Sequence, residues 1–262
     1  MKRCLKIYLG VIFLFNLALF SCEKVIEIPL KDSQSFLVIE GNIDDSSPYQ
    51  EVLISQSTPF SFSGERISVS GATVSIKEDG NSPVVLQEHE NGQYRLQDFK
   101  GKPGSTYLLT VAVDGQEYTA SSTMPFPVSM DSVGTVSTVL FSETITSAAV
   151  IYKDPEEVKN YYRFKVTIND VQNSMYWIFN DRFTDGNVVS QTLTDFSHKL
   201  HPRDRIRIEM QCVDSVVYEY WNGLAGQNPG ASTPSNPISN ISNGALGYFS
   251  AHTLSYAFFD VK

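Results

Sequence analysis

The sequence predicts an all-β protein: an N-terminal immunoglobulin-like or transthyretin-like β-sandwich over residues 36–125, then a second β-rich, sandwich-like domain over 126–262 with one short amphipathic helix. Three observations predict it. Apolar residues recur with period two in one short run after another. Gly, Asn, Asp and Pro punctuate those runs at hairpin spacing. Helical spacing is convincing at one place, where Val217, Tyr220, Trp221 and Leu224 stand at i, i+3, i+4 and i+7.

Residues 1–21 precede the fold and read as a lipoprotein signal peptide. Lys2, Arg3 and Lys6 open it, and Ile7 to Phe20 is apolar apart from Gly10 and Asn16. That length fits a signal-peptide core of about 7–15 residues and falls short of the roughly 20 that a membrane-spanning helix needs. Leu19, Phe20 and small Ser21 lead into Cys22. This layout is similar to the bacterial lipoprotein signal, in which cleavage leaves a lipid-modified cysteine as the first mature residue. Each buried methylene contributes about 0.8 kcal/mol and one acyl chain holds only marginally, so firm attachment relies on several chains. Removal of 1–21 takes away three positive charges and no negative ones, moving the formal net charge from −9 to −12. So acidic a chain is a poor binder of nucleic acid or of anionic headgroups. With Cys4 removed and Cys22 lipidated, Cys212 has no partner for an intramolecular disulfide.

Residues 22–35 form the lipidated N-terminus and a short tether, part of which pairs as a strand through Ile26, Ile28 and Leu30. The first sandwich is read from Phe36–Gly41, Val52 and Ile54, Ala72 to Ile76, Val84 and Leu86, Tyr94 and Leu96, Tyr107 to Val113, and Tyr118 and Ala120. Asp79-Gly80, Asn91-Gly92, Pro103-Gly104 and Asp114-Gly115 are its turns. Met124-Pro-Phe-Pro127 marks the boundary, since proline cannot donate to a ladder. In the second half Tyr162, Phe164, Val166 and Ile168 alternate with Arg163, Lys165 and Thr167. Met175–Phe179 is apolar on both faces, as a central strand would be, and Ile206, Ile208, Met210 and Cys212 oppose Arg205, Arg207, Glu209 and Gln211. The helix near 215–225 has Asp214 or Ser215 to cap it and Gly226 to end it. The runs Ala245–Phe249 and Leu254–Val261 are expected to return to the sheet and close the second domain.

No catalytic residue, metal ligand or cofactor site is expected. His198 and His201 lack the further ligands zinc needs. Alternation points Cys212 into the core, where a thiol is inert. Asp154, Glu156 and Glu157 surround Pro155 in what reads as a solvated loop. Asp181 to Asn187 hints at calcium but lacks the acidic ladder and terminal Glu of an EF-hand loop, and is read as a hairpin. There is no G-x-S-x-G elbow, P-loop or dinucleotide fingerprint. The Asn/Ser-rich loop 231–243 and the run after it are the place to seek contacts, with Asn236, Asn240, Asn243, Tyr248 and Phe249 as candidates for ligand or partner.

Three stretches resemble the family of Bacteroidota outer-membrane lipoproteins catalogued as domain of unknown function 4249. They are Cys22–Ile28, Leu37–Gly41, and Asn236–Phe249 with the aromatic helix around Tyr220 and Trp221. The resemblance implies a non-enzymatic lipoprotein held by its lipid to the outer membrane, often encoded beside a TonB-dependent β-barrel transporter engaged in nutrient uptake. It assigns no catalytic residues. Surface-exported lipoproteins of these bacteria carry several acidic residues after the cysteine, whereas Glu23 stands alone before Lys24, so both the periplasmic and the cell-surface face stay open. The alternative reading is a stand-alone cell-surface adhesin or glycan-binding lipoprotein. Oligomeric state has no signal in the sequence.

Overall fold

The computed structural model describes residues 35–58, 64–140, 142–226, 228 and 237–262. The signal segment, Cys22, the expected tether strand and Asn236 lie outside the described residues. Among those described, the fold is all-β with one short helix, as expected. Of the described helices, none is long and apolar enough to cross a membrane.

The first layer pair is built from β1 (Leu37–Asp44), β2 (Tyr49–Gln56), β3 (Ile67–Ser68), β4 (Thr73–Glu78), β5 (Val84–Val85), β6 (Gln87–Glu90), β7 (Gln93–Gln97), β8 (Thr106–Val113) and β9 (Gln116–Thr123). Period-two alternation turns Ile39, Ile43, Val52, Ile54 and Tyr94 inward from β1, β2 and β7. They meet Val74, Ile76, Tyr107, Leu109 and Val111 of the facing sheet β5-β4-β8-β9 in one core. The β8–β9 hairpin closes on Asp114 and Gly115 at φ 51° and 73°. A two-residue type I′ turn needs positive φ at both positions, and Asp-Gly supplies it at little strain.

The second pair uses β10 (Met130–Leu140), β11 (Glu143–Lys153), β12 (Tyr161–Ile168), β13 (Val171–Gln172), β14 (Trp177–Asn180), β15 (Val188–Leu193) and β16 (Arg205–Val213). The sheet β10-β11-β15 packs on β12 and β16, with Ala148, Val150 and Tyr152 against Phe164, Val166, Ile208, Met210 and Cys212. Cys212 is buried there, as its alternation required. The Met175–Phe179 run is not central: it yields only the short β14, which pairs with β12. Helix α1 (Ser215–Ala225) follows, with Asp214 as N-cap and Gly226 as C-cap.

The last strand, β17 (Leu246–Asp260), belongs to both pairs. Its first half runs parallel to β1, from Val38↔Leu246 to Asp44↔His252. Its second half runs antiparallel to β16, from Cys212↔Thr253 to Arg205↔Asp260. The run 254–261 therefore closes the second core as expected, whereas 246–252 joins the first. Odd-numbered residues supply the cores: Phe249 and Ala251 enter the first, and Phe259 packs against the second. Close fit marks the β1 seam. A Cβ on Gly41 would lie 2.9 Å from the Phe249 ring, so the missing side chain makes room for the phenyl group.

Side chains satisfy β17 where no strand does. Asn240 accepts from Phe249 N–H at 2.9 Å through Oδ1 and donates to Phe249 O at 2.8 Å through Nδ2. Ser122 Oγ accepts from Ala251 N–H at 2.9 Å and donates to Asp214 Oδ2 at 2.8 Å. Asp214 also accepts from Thr123 N–H and from Val217 N–H, both at 2.9 Å, so one carboxylate caps α1 and ties it to β9.

Gly247 tests the seam. It sits at φ +97°, and an added Cβ would lie 2.0 Å from Ile39 O. Gly247→Ala is expected to destabilise by about 3 kcal/mol or more. Gly134→Ala, with no heavy atom within 4 Å of the new methyl, should change stability by no more than about 0.5 kcal/mol. Urea midpoints of the two variants check the pair.

Candidate functional site

The even-numbered face of β17 points away from both cores, and beside it the neighbouring strands carry charge. On β12 and β16 the alternation that buries Phe164 and Met210 turns Arg163, Lys165, Glu209 and Gln211 the other way. The alternation alone marks them as the polar half of each strand. Yet Arg163 and Gln211 are buried, because the apolar stripe of α1 lies against this face.

The helix brings an aromatic cluster with it. Trp221 lies 4.9 Å from Tyr248, 5.3 Å from Tyr220 and 5.6 Å from Tyr176 between ring centroids, and Tyr220 lies 5.0 Å from Tyr248. The Arg163 guanidinium stacks over Trp221 with Cζ 3.4 Å from the ring centroid. The cluster therefore resembles an aromatic cage whose cation is the protein's own. An uncompensated buried charge costs several kcal/mol. A desolvated cation–π contact returns about 2 kcal/mol and a charged hydrogen bond about 1.5–3 kcal/mol, enough together to hold Arg163 there.

From Arg163 a polar chain crosses the sheet. Arg163 Nη1 donates to Gln211 Oε1 at 3.0 Å, and Gln211 Nε2 donates to Glu209 Oε1 at 2.7 Å. Lys165 Nζ reaches the same Glu209 oxygen at 2.9 Å. Nearby, Asn42 Nδ2 donates to Tyr248 Oη at 3.2 Å, and His252 Nδ1 lies 3.0 Å from Ser250 Oγ. These groups border a pocket of about 370 Å³ lined among others by Asn42, Gln172, Glu209, Tyr248, His252 and Tyr256. Arg163 and Lys165 balance Glu209 and Asp44 in formal charge, so the pocket offers many hydrogen-bonding groups and little net charge.

Protonation follows from the geometry. Burial pushes the Lys165 ammonium down and Arg163 adds to this, with Glu209 opposing. Burial alone would push the Glu209 carboxyl up, but Lys165, Gln211 and His252 outweigh it and hold it below the usual carboxylate range. His252 is pushed down to about 4, first by burial and then by Lys165 and Arg163, against the pull of Asp44 and Glu209. It is therefore neutral at pH 7.

The residues expected to make contacts take the following places among the described residues. Phe249 is 0% exposed, in the first core. Asn240 gives its amide to the Phe249 backbone. Asn243 sits at φ 55° and donates through Nδ2 to Glu117 O, which makes it a turn residue. Tyr248 lines the pocket, but most of its ring is enclosed by the cluster. The groups that build the pocket were visible in the sequence only as the polar half of two alternating strands. The available signal was the apolar stripe of α1, which had to find a sheet face to cover.

The titration of His252 gives a prediction. An unfolded histidine has a pKa of about 6.5. Between that value and the folded value of about 4 the unfolded chain holds a proton that the folded protein refuses. Stability should therefore fall as pH drops through this window, by at most about 3 kcal/mol from this group. Urea midpoints at pH 7 and pH 4.5 are expected to differ less in His252→Gln than in the wild type; an equal difference would contradict the assignment.

Among solved structures the chain is similar to the FN1–FN3 domains of chicken CNTN1, at 16% identity and a TM-score of 0.23, over 66% of this chain and 59% of that one. The chain thus spans less than two thirds of that structure's length, and so low a score supports no argument. No curated protein matches. The model of the family described as Domain of unknown function (DUF4249) matches residues 23–255. That span covers nearly the whole chain, which belongs to this family.

Proposed function

We propose a non-enzymatic binding lipoprotein of the Bacteroidota outer membrane, tethered through Cys22 and serving as accessory subunit of a TonB-dependent transporter. The observation that carries the binding part is the pocket beside β17. Its Lys165 and Glu209 pair with each other, Arg163 and Asp44 are held by neutral hydrogen-bonding groups, and its rims are hydrogen-bonding groups as well. Such a surface is preorganised to recognise a neutral polar ligand, since few of its groups must move or shed a counter-charge on binding. The anchoring part is supported by the charged, then apolar segment ending at Cys22.

The glycan-binding reading draws on Tyr256, which is 45% exposed at the rim of the same pocket among amide and carboxylate groups. An aromatic face beside planar hydrogen-bonding side chains suits a sugar ring.

One preparation tests both. The protein is purified from native membranes of its source, then assayed for co-purifying β-barrel and on a glycan array. Membrane sedimentation lost in Cys22→Ser, together with a co-purified transporter, is the expected result. Sedimentation unchanged by Cys22→Ser contradicts the tether. Recovery without a barrel but with array binding lost in Tyr256→Ala favours the adhesin.

A further inference from the structure

Two acidic stretches far apart in sequence meet at one end of the second sandwich. Asp154 follows directly on β11, Asp181 directly on β14, and Asp185 stands in the loop that leads to β15. One carboxylate oxygen from each lies within 4.8 Å of the other two. The expectation of a solvated loop fails at Asp154, which is 0% exposed.

The three carboxylates are held in place yet uncompensated. Asp181 Oδ2 accepts from Asn160 N–H at 2.6 Å, and Asp185 Oδ1 accepts from Glu157 N–H at 3.0 Å. Asp154 Oδ1 accepts from the Tyr162 hydroxyl, while its buried Oδ2 has no hydrogen-bond partner among the described residues. Lys153 donates to Gly186 O rather than to these acids. None of the three pairs with a Lys, Arg or His among the described residues. Asp154 is thus a buried carboxylate with one oxygen lacking a hydrogen-bond donor and one oxygen within 4.8 Å of two further acids, an arrangement that calls for a proton or a cation. Burial raises the Asp154 carboxyl, and the Asp181 and Asp185 charges add to it, against the Tyr162 hydroxyl and the Gly186 N–H.

We propose that Asp154, Asp181 and Asp185 bind a calcium ion. The donors are all oxygen, which selects a hard cation over zinc or copper. Calcium–oxygen distances of about 2.3–2.6 Å place two ligands of one ion up to about 5 Å apart, which these oxygens already satisfy. Magnesium demands a near-ideal octahedron and gives up its waters reluctantly, so an all-protein cage of three carboxylates suits it less well. Water completes a shell of about 6–8 oxygens. The bound ion fastens the loop 181–187 to the end of β11.

The test uses the full chain in non-ionic detergent, stripped with chelator and titrated with terbium under tyrosine excitation. Tyr162, hydrogen-bonded to Asp154, stands where it can sensitise the ion. Saturable emission that calcium reverses is expected, with a calcium Kd of about 10⁻⁴–10⁻³ M, the range of extracellular modules. Melting temperature should rise by about 2–4 °C in excess calcium over chelator. Asp185→Asn, at an exposed position, should weaken calcium about tenfold by removing one ligand charge. Asp154→Asn should abolish the calcium response and raise the melting temperature in chelator. Emission that does not saturate, emission unaffected by Asp185→Asn and Asp181→Asn, or equal melting in calcium and chelator would overturn the site. A gain in Asp154→Asn without calcium binding by the wild type would also overturn it, leaving a protonated carboxyl in its place.

Discussion

The structure depends on one strand with two sets of partners. β17 hydrogen-bonds to β1 over 246–252 and to β16 over 253–260, so the sheets of two sandwiches become a single sheet. Each core draws a wall from this strand, and neither is complete without it. Because side chains alternate along a strand, placing Phe249, Ala251 and Phe259 inward commits Tyr248, His252 and Tyr256 to the opposite face. The pocket is thus a by-product of the weld: it lies where both sandwiches must turn their second faces outward together.

On that outward face α1 solves a solvation problem and creates another. Its stripe of Val217 and Trp221 needs burial, and covering the sheet takes Arg163 and Gln211 out of water. Trp221 and Gln211 then compensate the guanidinium, and Glu209 compensates Lys165. The resulting network is rigid because each member holds its neighbour. Removing Gln211 would leave Arg163 without its acceptor, and removing Lys165 or Glu209 would strand the charge of the other, which is more damaging than losing a single hydrogen bond. Asp214 links this helix back to β9, so the pocket is fixed to the first sandwich as well as the second.

Much of the fold was legible because it is local. The alternation of Tyr162–Ile168 and Ile206–Cys212, the Asp114-Gly115 turn and the caps Asp214 and Gly226 each act within a few residues. Pairing across the chain is not local, and it accounts for what was missed. Nothing in Leu246–His252 announces β1 as its partner, since an alternating strand serves either sandwich equally well. Arg163 and Lys165 look like a wet face until α1 is placed over them. Phe249 ends an apolar run expected in the sheet and is core, while Asn240, within the polar loop, stands in for a missing strand. Asp154 and Asp181 seem unrelated until β11 and β14 end at the same place.

The most direct measurement is native-state hydrogen exchange along β17. If the strand joins the two sandwiches into one cooperative unit, amides in 246–252 and in 253–260 open with the same free energy and respond alike to denaturant. Separate free energies, with one half exchanging while the other stays protected, would mean two independent domains that merely share a chain.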